Sequence, residues 1–390
     1  MRLSVLLMAL TLSTAWSAKA TPINFSSNAA MQSTCLTLRP QTPAQLRRDD
    51  IKVAYVICSG LDLITDTAHW ARTNFGTGRM EDPQIWQRVR AKLEEILGKL
   101  KTARMLLESV HATKPLFTIQ PGKWRIDLDG DGIVTPFEKY FFWVANRGSD
   151  QIAAFSGISS SSDYYEKNFI RPIIKLDQSD VYWAAAYLNF AEGALNLLLS
   201  YDFDPKQKEP VFLRDGKRVA AIAYPRFLAG IATSRKLHES LLEETDDDYE
   251  WIANPKQVNS VFPLVLDAQS FATWRALLEH MDKLFRGKTL LGGATPASSA
   301  GDARAWRMVD LTLGLCKPGE GINVRDLFLR PLQQPGNAAA RAARCVKPTA
   351  STPFTGLGTL LEESLRRNAG RTPANSSGEW MVLRHLYWVN

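Results

Sequence analysis

Histidine and cysteine are scarce in this chain of 390 residues, with five of the first and four of the second. His69, His111, His238, His280 and His385 lie far apart, and none belongs to an H-E-x-x-H pair. A zincin-type metal site therefore has no support. The chain has no G-x-S-x-G elbow, no P-loop and no dinucleotide fingerprint, which removes the signatures of the common serine hydrolases, nucleotide hydrolases and dehydrogenases. No C-x-x-C spacing suggests zinc or thiol redox chemistry. After residue 20 no apolar run reaches the roughly 20 residues that cross a bilayer, so no membrane span is expected. Lys and Arg exceed Asp and Glu by 47 to 40. They are spread along helical segments rather than gathered in a block, so no nucleic acid is expected as a partner. There is no repeat of fixed period and no alternating run long enough to propose a sheet.

What is present is ample core material: 45% hydrophobic residues, 11 Trp and 17 Phe, too much for a disordered chain. Residues 1–20, MRLSVLLMALTLSTAWSAKA, carry Arg2, an apolar run and Ala18-Lys19-Ala20 in an A-x-A pattern, the layout of a signal peptide. An exported protein, periplasmic or extracellular, is expected. Setting aside Arg2 and Lys19 leaves a net charge of +5. No cysteine follows the cleavage pattern directly, so a lipid anchor is not expected. Cys35, Cys58, Cys316 and Cys345 remain, an even number that favours disulfides in an exported chain. Three connectivities are open, and the short closures Cys35 with Cys58 and Cys316 with Cys345 are expected because the pairs sit at opposite ends of the chain. Residues 21–43 read as a flexible N-terminal segment and residues 44–390 as one helical domain.

The fold class expected is mainly α, a bundle-like arrangement with long loops. Ala44 to Asn74 carries apolar residues at mixed helical spacing and reads as one or two helices. Asp82-Pro83 reads as a cap with proline at the first helical position, followed by a stripe of Val89, Leu93, Ile96, Leu100, Leu107 and Val110. Asp180 is expected to cap VYWAAAYLNFAEGALNLLLS, which is apolar nearly all round and so central. Further helices are expected over Arg226 to Glu244 and over Asp267 to Arg286, the latter stopped by Gly287. Gly292 to Gly301 and Gln333 to Thr352 read as loops.

One stretch stands apart: RIDLDGDGIVTPFEKYFF, residues 125–142. Four carboxylates in one short loop repel one another without a counter-charge. Residues 127–138, DLDGDGIVTPFE, meet the pattern D-x-D/N-x-D/N-G-x5-E at every diagnostic position, and the loop resembles the calcium loop of the EF-hand family. The resemblance covers twelve residues. It implies side-chain ligands from Asp127, Asp129 and Asp131, the sharp turn at Gly132, a backbone carbonyl from Ile133, a contact through water at Thr135 and a bidentate Glu138. Val134 stands where the family buries an apolar residue. Ca2+ is the ion expected, since magnesium demands a smaller octahedral shell and keeps its waters. Thr135 reads as a helix cap ahead of Pro136, with Phe137, Tyr140, Phe141 and Val144 on one face.

The chain departs from the family in two ways. Pro121-Gly122 breaks any helix entering the loop, with KWRI read as a short extended piece, and no second loop of the same kind appears. A structural calcium site is therefore expected rather than a sensor that opens a groove. Elsewhere, LLEETDDDYEWIANP carries Glu243, Glu244, Asp246, Asp247, Asp248 and Glu250. It reads first as a helix end passing into a solvated acidic loop pinned by Trp251 and Ile252, and second as a cation site or a carboxylate group. SGISSSSDYY from Ser156 reads as a loop. Two functions of different class follow: an exported, non-catalytic calcium-binding protein acting on an envelope component or protein partner, and a calcium-dependent hydrolase using Asp163, Glu192 or the 246–250 run.

Overall fold

Helix is the dominant element of this chain. The computed structural model describes residues 23–75, 84–145, 162–204, 210–215, 218–262, 267–292, 316–317, 319–357 and 360. The expected leader, Asp82-Pro83 and the 292–301 loop beyond Gly292 lie outside the described residues. In chain order the helices are α1 (Asn28–Leu38), α2 (Asp49–Phe75), α3 (Ile85–Glu108), α4 (Pro136–Tyr140), α5 (Ser162–Asn168), α6 (Gln178–Leu199), α7 (Tyr224–Glu243), α8 (Ala268–Phe285), α9 (Val324–Leu329) and α10 (Ala338–Ala342). The strands are two or three residues long and form small separate sheets. Phe117–Ile119 pairs antiparallel with Ile174–Leu176, and Val144–Ala145 with Phe169–Ile170. A three-stranded piece joins Leu291–Gly292, Gly321–Ile322 and Cys345–Val346.

Helix α6 is the axis of the molecule, packed against α3 on one side and α7 on the other. Its apolar composition on every face requires that position. Gly230 of α7 lets the two helices approach, because a Cβ there would come within 2.6 Å of the Phe190 ring. The main core gathers Phe25, Met31 and Leu38 with Ala54 and Leu61 of α2, Ile231 and Leu237 of α7, and Phe271 and Trp274 of α8. Trp251 and Ile252 are buried in the same core, as expected. Each fully buried side chain of this size contributes about 1.5–3 kcal/mol.

Several boundaries differ from expectation. Residues 21–43, read as flexible, supply α1, whose Ser27 cap accepts the Ala30 N–H and whose Cys35 is 1% exposed. The cap of α6 is Asp177 rather than Asp180: Asp177 Oδ1 accepts the Ser179 N–H at 2.8 Å, and Asp180 stands three residues in, completing the capping box. The Gln333–Thr352 stretch contains α10 and a strand. The two expected disulfides are both present, Cys35–Cys58 and Cys316–Cys345. Asp267 caps α8 and Gly287 ends it at φ 71°, both as the sequence predicts.

Candidate metal centre and a second acid group

The loop 127–138 is built around Asp127. Its Oδ1 accepts the N–H groups of Gly130 at 2.7 Å and Asp131 at 3.2 Å, and its Oδ2 accepts the Gly132 N–H at 2.8 Å. The Gly132 N–H, followed by those of Gly130 and Asp131, holds the Asp127 carboxyl below the usual carboxylate range. Such a wrap needs a left-handed backbone, which Gly132 supplies at φ 85° and Gly130 at φ 73°. Asp131 Oδ1 accepts the Ile133 N–H at 2.8 Å. The wrap brings oxygens of Asp127, Asp129 and Asp131 within 4.8 Å of one another.

Glu138 sits at the other end of the loop and is 4% exposed. Its Oε1 accepts the Leu128 N–H at 2.7 Å, and its Oε2 accepts both the Thr135 N–H and the Thr135 hydroxyl at 2.8 Å. Burial alone would raise this carboxyl, but these donors outweigh it and the acid titrates below its ordinary range. Glu138 therefore staples the start of the loop to the start of α4, and it is not one of the three carboxylates that converge. Thr135 is the cap of α4, as expected.

The loop leans on α2. His69 Nδ1 lies 3.1 Å from the Asp129 carbonyl, donating when that nitrogen carries the proton. Arg72 Nη1 lies 3.1 Å from Asp129 Oδ1 and 3.5 Å from Asp131 Oδ2. A guanidinium thus supplies part of the counter-charge. No helix enters the loop: Pro121–Lys123 forms a single tight turn, and Trp124 is extended and buried, donating its indole N–H to the Phe25 carbonyl at 3.1 Å.

Two expectations about the flanks are corrected. Val134 is 43% exposed and Ile133 65% exposed, because no second loop lies against them among the described residues. Helix α4 stops at Tyr140, so Val144 is in a strand opposite Ile170 rather than on the helical face. Tyr140 still anchors the element, stacked on Tyr165 at 4.7 Å and edge-on to Trp143 at 4.7 Å.

The donor set suits a hard divalent cation. Every candidate side-chain ligand is oxygen, and the N–H donors occupy the loop-facing lone pairs of Asp127 while the three carboxylates converge. Asp127, Asp129 and Asp131 would hold the ion, with Glu138 beside them at the base of the loop.

A second acid group was not legible as a unit. Oxygens of Asp177, Glu244 and Glu250 also lie within 4.8 Å of one another. Of the acidic run expected to be a solvated loop, Glu243 and Asp246 are exposed, whereas Glu250 is buried at 4% exposure. Asp247 ties the turn down by accepting the Val258 and Asn259 N–H groups at 2.9 and 2.8 Å. Burial first, and then the neighbouring Asp177 carboxyl, push Glu244 up to about 8. Burial also leads for Glu250, joined by Asp246 and Asp177, and takes it to about 8. Burial raises Asp177 as well, and raises Asp180 far above the ordinary carboxyl range. Carboxyls this close share protons rather than ionise together. Glu192, the other catalytic candidate, is engaged in a buried ion pair with Arg104 at 2.5 Å. Asp163 is exposed on α5. The sequence pointed to Asp180 only as a cap, and its D-x-x-D spacing from Asp177 was the available signal.

No protein-family model, curated protein or solved structure matches this chain.

Proposed function

We propose that this is an exported calcium-binding protein of the envelope or extracellular space, in which one Ca2+ held by the EF-hand-like loop 127–138 has a structural role and the protein acts by binding a partner. The observation that carries the reading is the convergence of Asp127, Asp129 and Asp131 within 4.8 Å on a backbone turned by Gly130 and Gly132. The ion would relieve the repulsion of these acids and fix the loop between α2 and the aromatic anchor of α4. A weak site, with a dissociation constant of roughly 10⁻⁴ to 10⁻³ M, is sufficient outside the cytoplasm. Two disulfides support export, being favoured in oxidising compartments.

The test is thermal unfolding with calcium and with excess chelator. At a free ion concentration about 100 times the dissociation constant, the native state gains roughly 2.7 kcal/mol. Asp127→Ala and Glu138→Ala are each expected to abolish that gain. Identical melting temperatures in calcium and in chelator sink the reading.

A calcium-dependent hydrolase is the second reading, and one observation favours it: carboxyl oxygens of Asp177 and Glu244, from separate segments, lie within 4.8 Å of each other. Such a pair has the makings of an acid and a base at neighbouring positions. Loss of a measured hydrolytic activity in Glu244→Gln, with folding intact, would select this reading over binding.

A further inference from the structure

The C-terminal end of α2 presents a fixed cation to the loop 127–138. His69 and Arg72 stand three residues apart and so share one face of that helix. The loop lies close against this face at Gly130, where a Cβ would come within 2.9 Å of His69 Nδ1. Arg72 then spans two of the three converging carboxylates, with Nη1 at 3.1 Å from Asp129 Oδ1 and 3.5 Å from Asp131 Oδ2. Its charge also bears on Asp127. Asp131 turns its Oδ1 to the Ile133 N–H, which leaves Oδ2, the oxygen facing Arg72, as its better ligand for an ion. The contact is half-exposed, at 48% for the Arg72 side chain against 42% for Asp129 and 26% for Asp131. An ion pair this wet is weak and exchangeable.

We propose that Arg72 is a resident counter-cation of the loop which calcium displaces, so that this one side chain sets the affinity of the site low and keeps the ion-free loop docked on α2. The inference rests on the calcium reading of residues 127–138. A guanidinium and a divalent ion compete for the same carboxylates, because Asp131 Oδ2 cannot serve both at short range without bringing like charges together. The ion wins at sufficient concentration: it collects six to eight oxygens, whereas Arg72 makes two long contacts. The guanidinium leaves at little cost, since water already reaches half of it. His69 Nδ1, 3.1 Å from the Asp129 carbonyl, does not depend on the carboxylates and holds the loop on α2 in both states. The ion-free loop is thus a docked turn with part of its charge neutralised, and filling it exchanges one cation for another.

Calcium titration calorimetry on the full protein tests the exchange. Arg72→Gln removes the competing charge and is expected to bind calcium at least about threefold more tightly than the native protein, the scale of an exposed ion pair that no longer has to be broken. Arg72→Lys keeps the charge and is expected to stay within about twofold of the native affinity. Thermal unfolding supplies a second readout. In excess chelator Arg72→Gln is expected to melt below the native protein, because the ion pair is gone; in saturating calcium it is expected to equal or exceed it, because calcium has already broken that pair. Unchanged or weaker calcium binding in Arg72→Gln, equal tightening in Arg72→Lys, or a melting deficit that persists undiminished in saturating calcium overturns the proposal. These outcomes leave the calcium reading standing, whereas absence of calcium binding in both the native protein and Arg72→Gln overturns the two together.

Discussion

Glu192 lies in the middle of α6 at 4% exposure, where Arg104 of α3 meets its carboxylate at 2.5 Å. Arg104 also reaches Glu108 at 2.5 Å, and Glu108 in turn accepts from Asn189 of α6 at 3.1 Å. The cluster therefore sets the rotation of α3 on α6. Arg104→Ala leaves a buried charge without its partner, which costs about 3–5 kcal/mol. The double change Arg104→Met with Glu192→Leu, which removes both ions together, is expected to cost far less. Urea unfolding of the two variants checks this, and equal losses would mean that the arginine acts through packing alone. A carboxylate in an apolar helix attracts a catalytic reading from sequence, because its partner is 88 positions away and no local pattern announces it. Asp127, Asp129 and Asp131 are the opposite case: their convergence within 4.8 Å is encoded within a dozen consecutive residues, so their spacing is legible in the sequence. Glu138 shows the limit of that reading, since the same carboxylate that fits a ligand position also fits a capping box with Thr135.

Elements are legible where their ends carry side-chain chemistry. Asp267 and Gly287 bracket α8, and in α3 Leu107 is buried and Val89, Leu93, Ile96 and Leu100 are half-buried, with Val110 just past its end, because caps and a period of 3.6 are local properties. The strands are not legible, because each is only two or three residues long and its pairing is decided by the helices around it. The two disulfides tie elements in different settings. Cys35 and Cys58 join α1 to α2 inside the core at 1% and 2% exposure, whereas Cys316 and Cys345 are half-buried near the three-stranded piece. A thiol reductant under native conditions is therefore expected to open Cys316–Cys345 first, because attack requires access. Differential alkylation followed by peptide mapping reads the order, and prior labelling of Cys35 or Cys58 would contradict it. Replacing Cys35 and Cys58 by alanine removes a closure of 23 residues and is expected to cost about 3 kcal/mol in unfolding free energy.

At the scale of the whole molecule the two acid groups impose opposite pH dependences on stability. The carboxyls of Glu244 and Glu250 titrate near 8 in the fold against an ordinary 4.5, so the native state binds more protons than the unfolded chain between those values. Stability from this pair is therefore full below about pH 4.5 and is lost as pH rises towards 8. Asp127 and Glu138 are shifted down in the fold, so their contribution is present above the ordinary carboxylate range and is lost in stronger acid. His238 is held neutral, first by burial, and titrates below its usual 6.5, so it too favours the fold less as acidity increases. The net curve mixes these slopes, and the difference between variants separates them. Urea midpoints at pH 5, 6.5 and 8 are expected to fall with rising pH more steeply in the native protein than in Glu244→Gln with Glu250→Gln, where amides replace the acids and no proton is released. Parallel curves for the two proteins would mean that these carboxyls are solvated and ionised at neutral pH, with no protons shared between them.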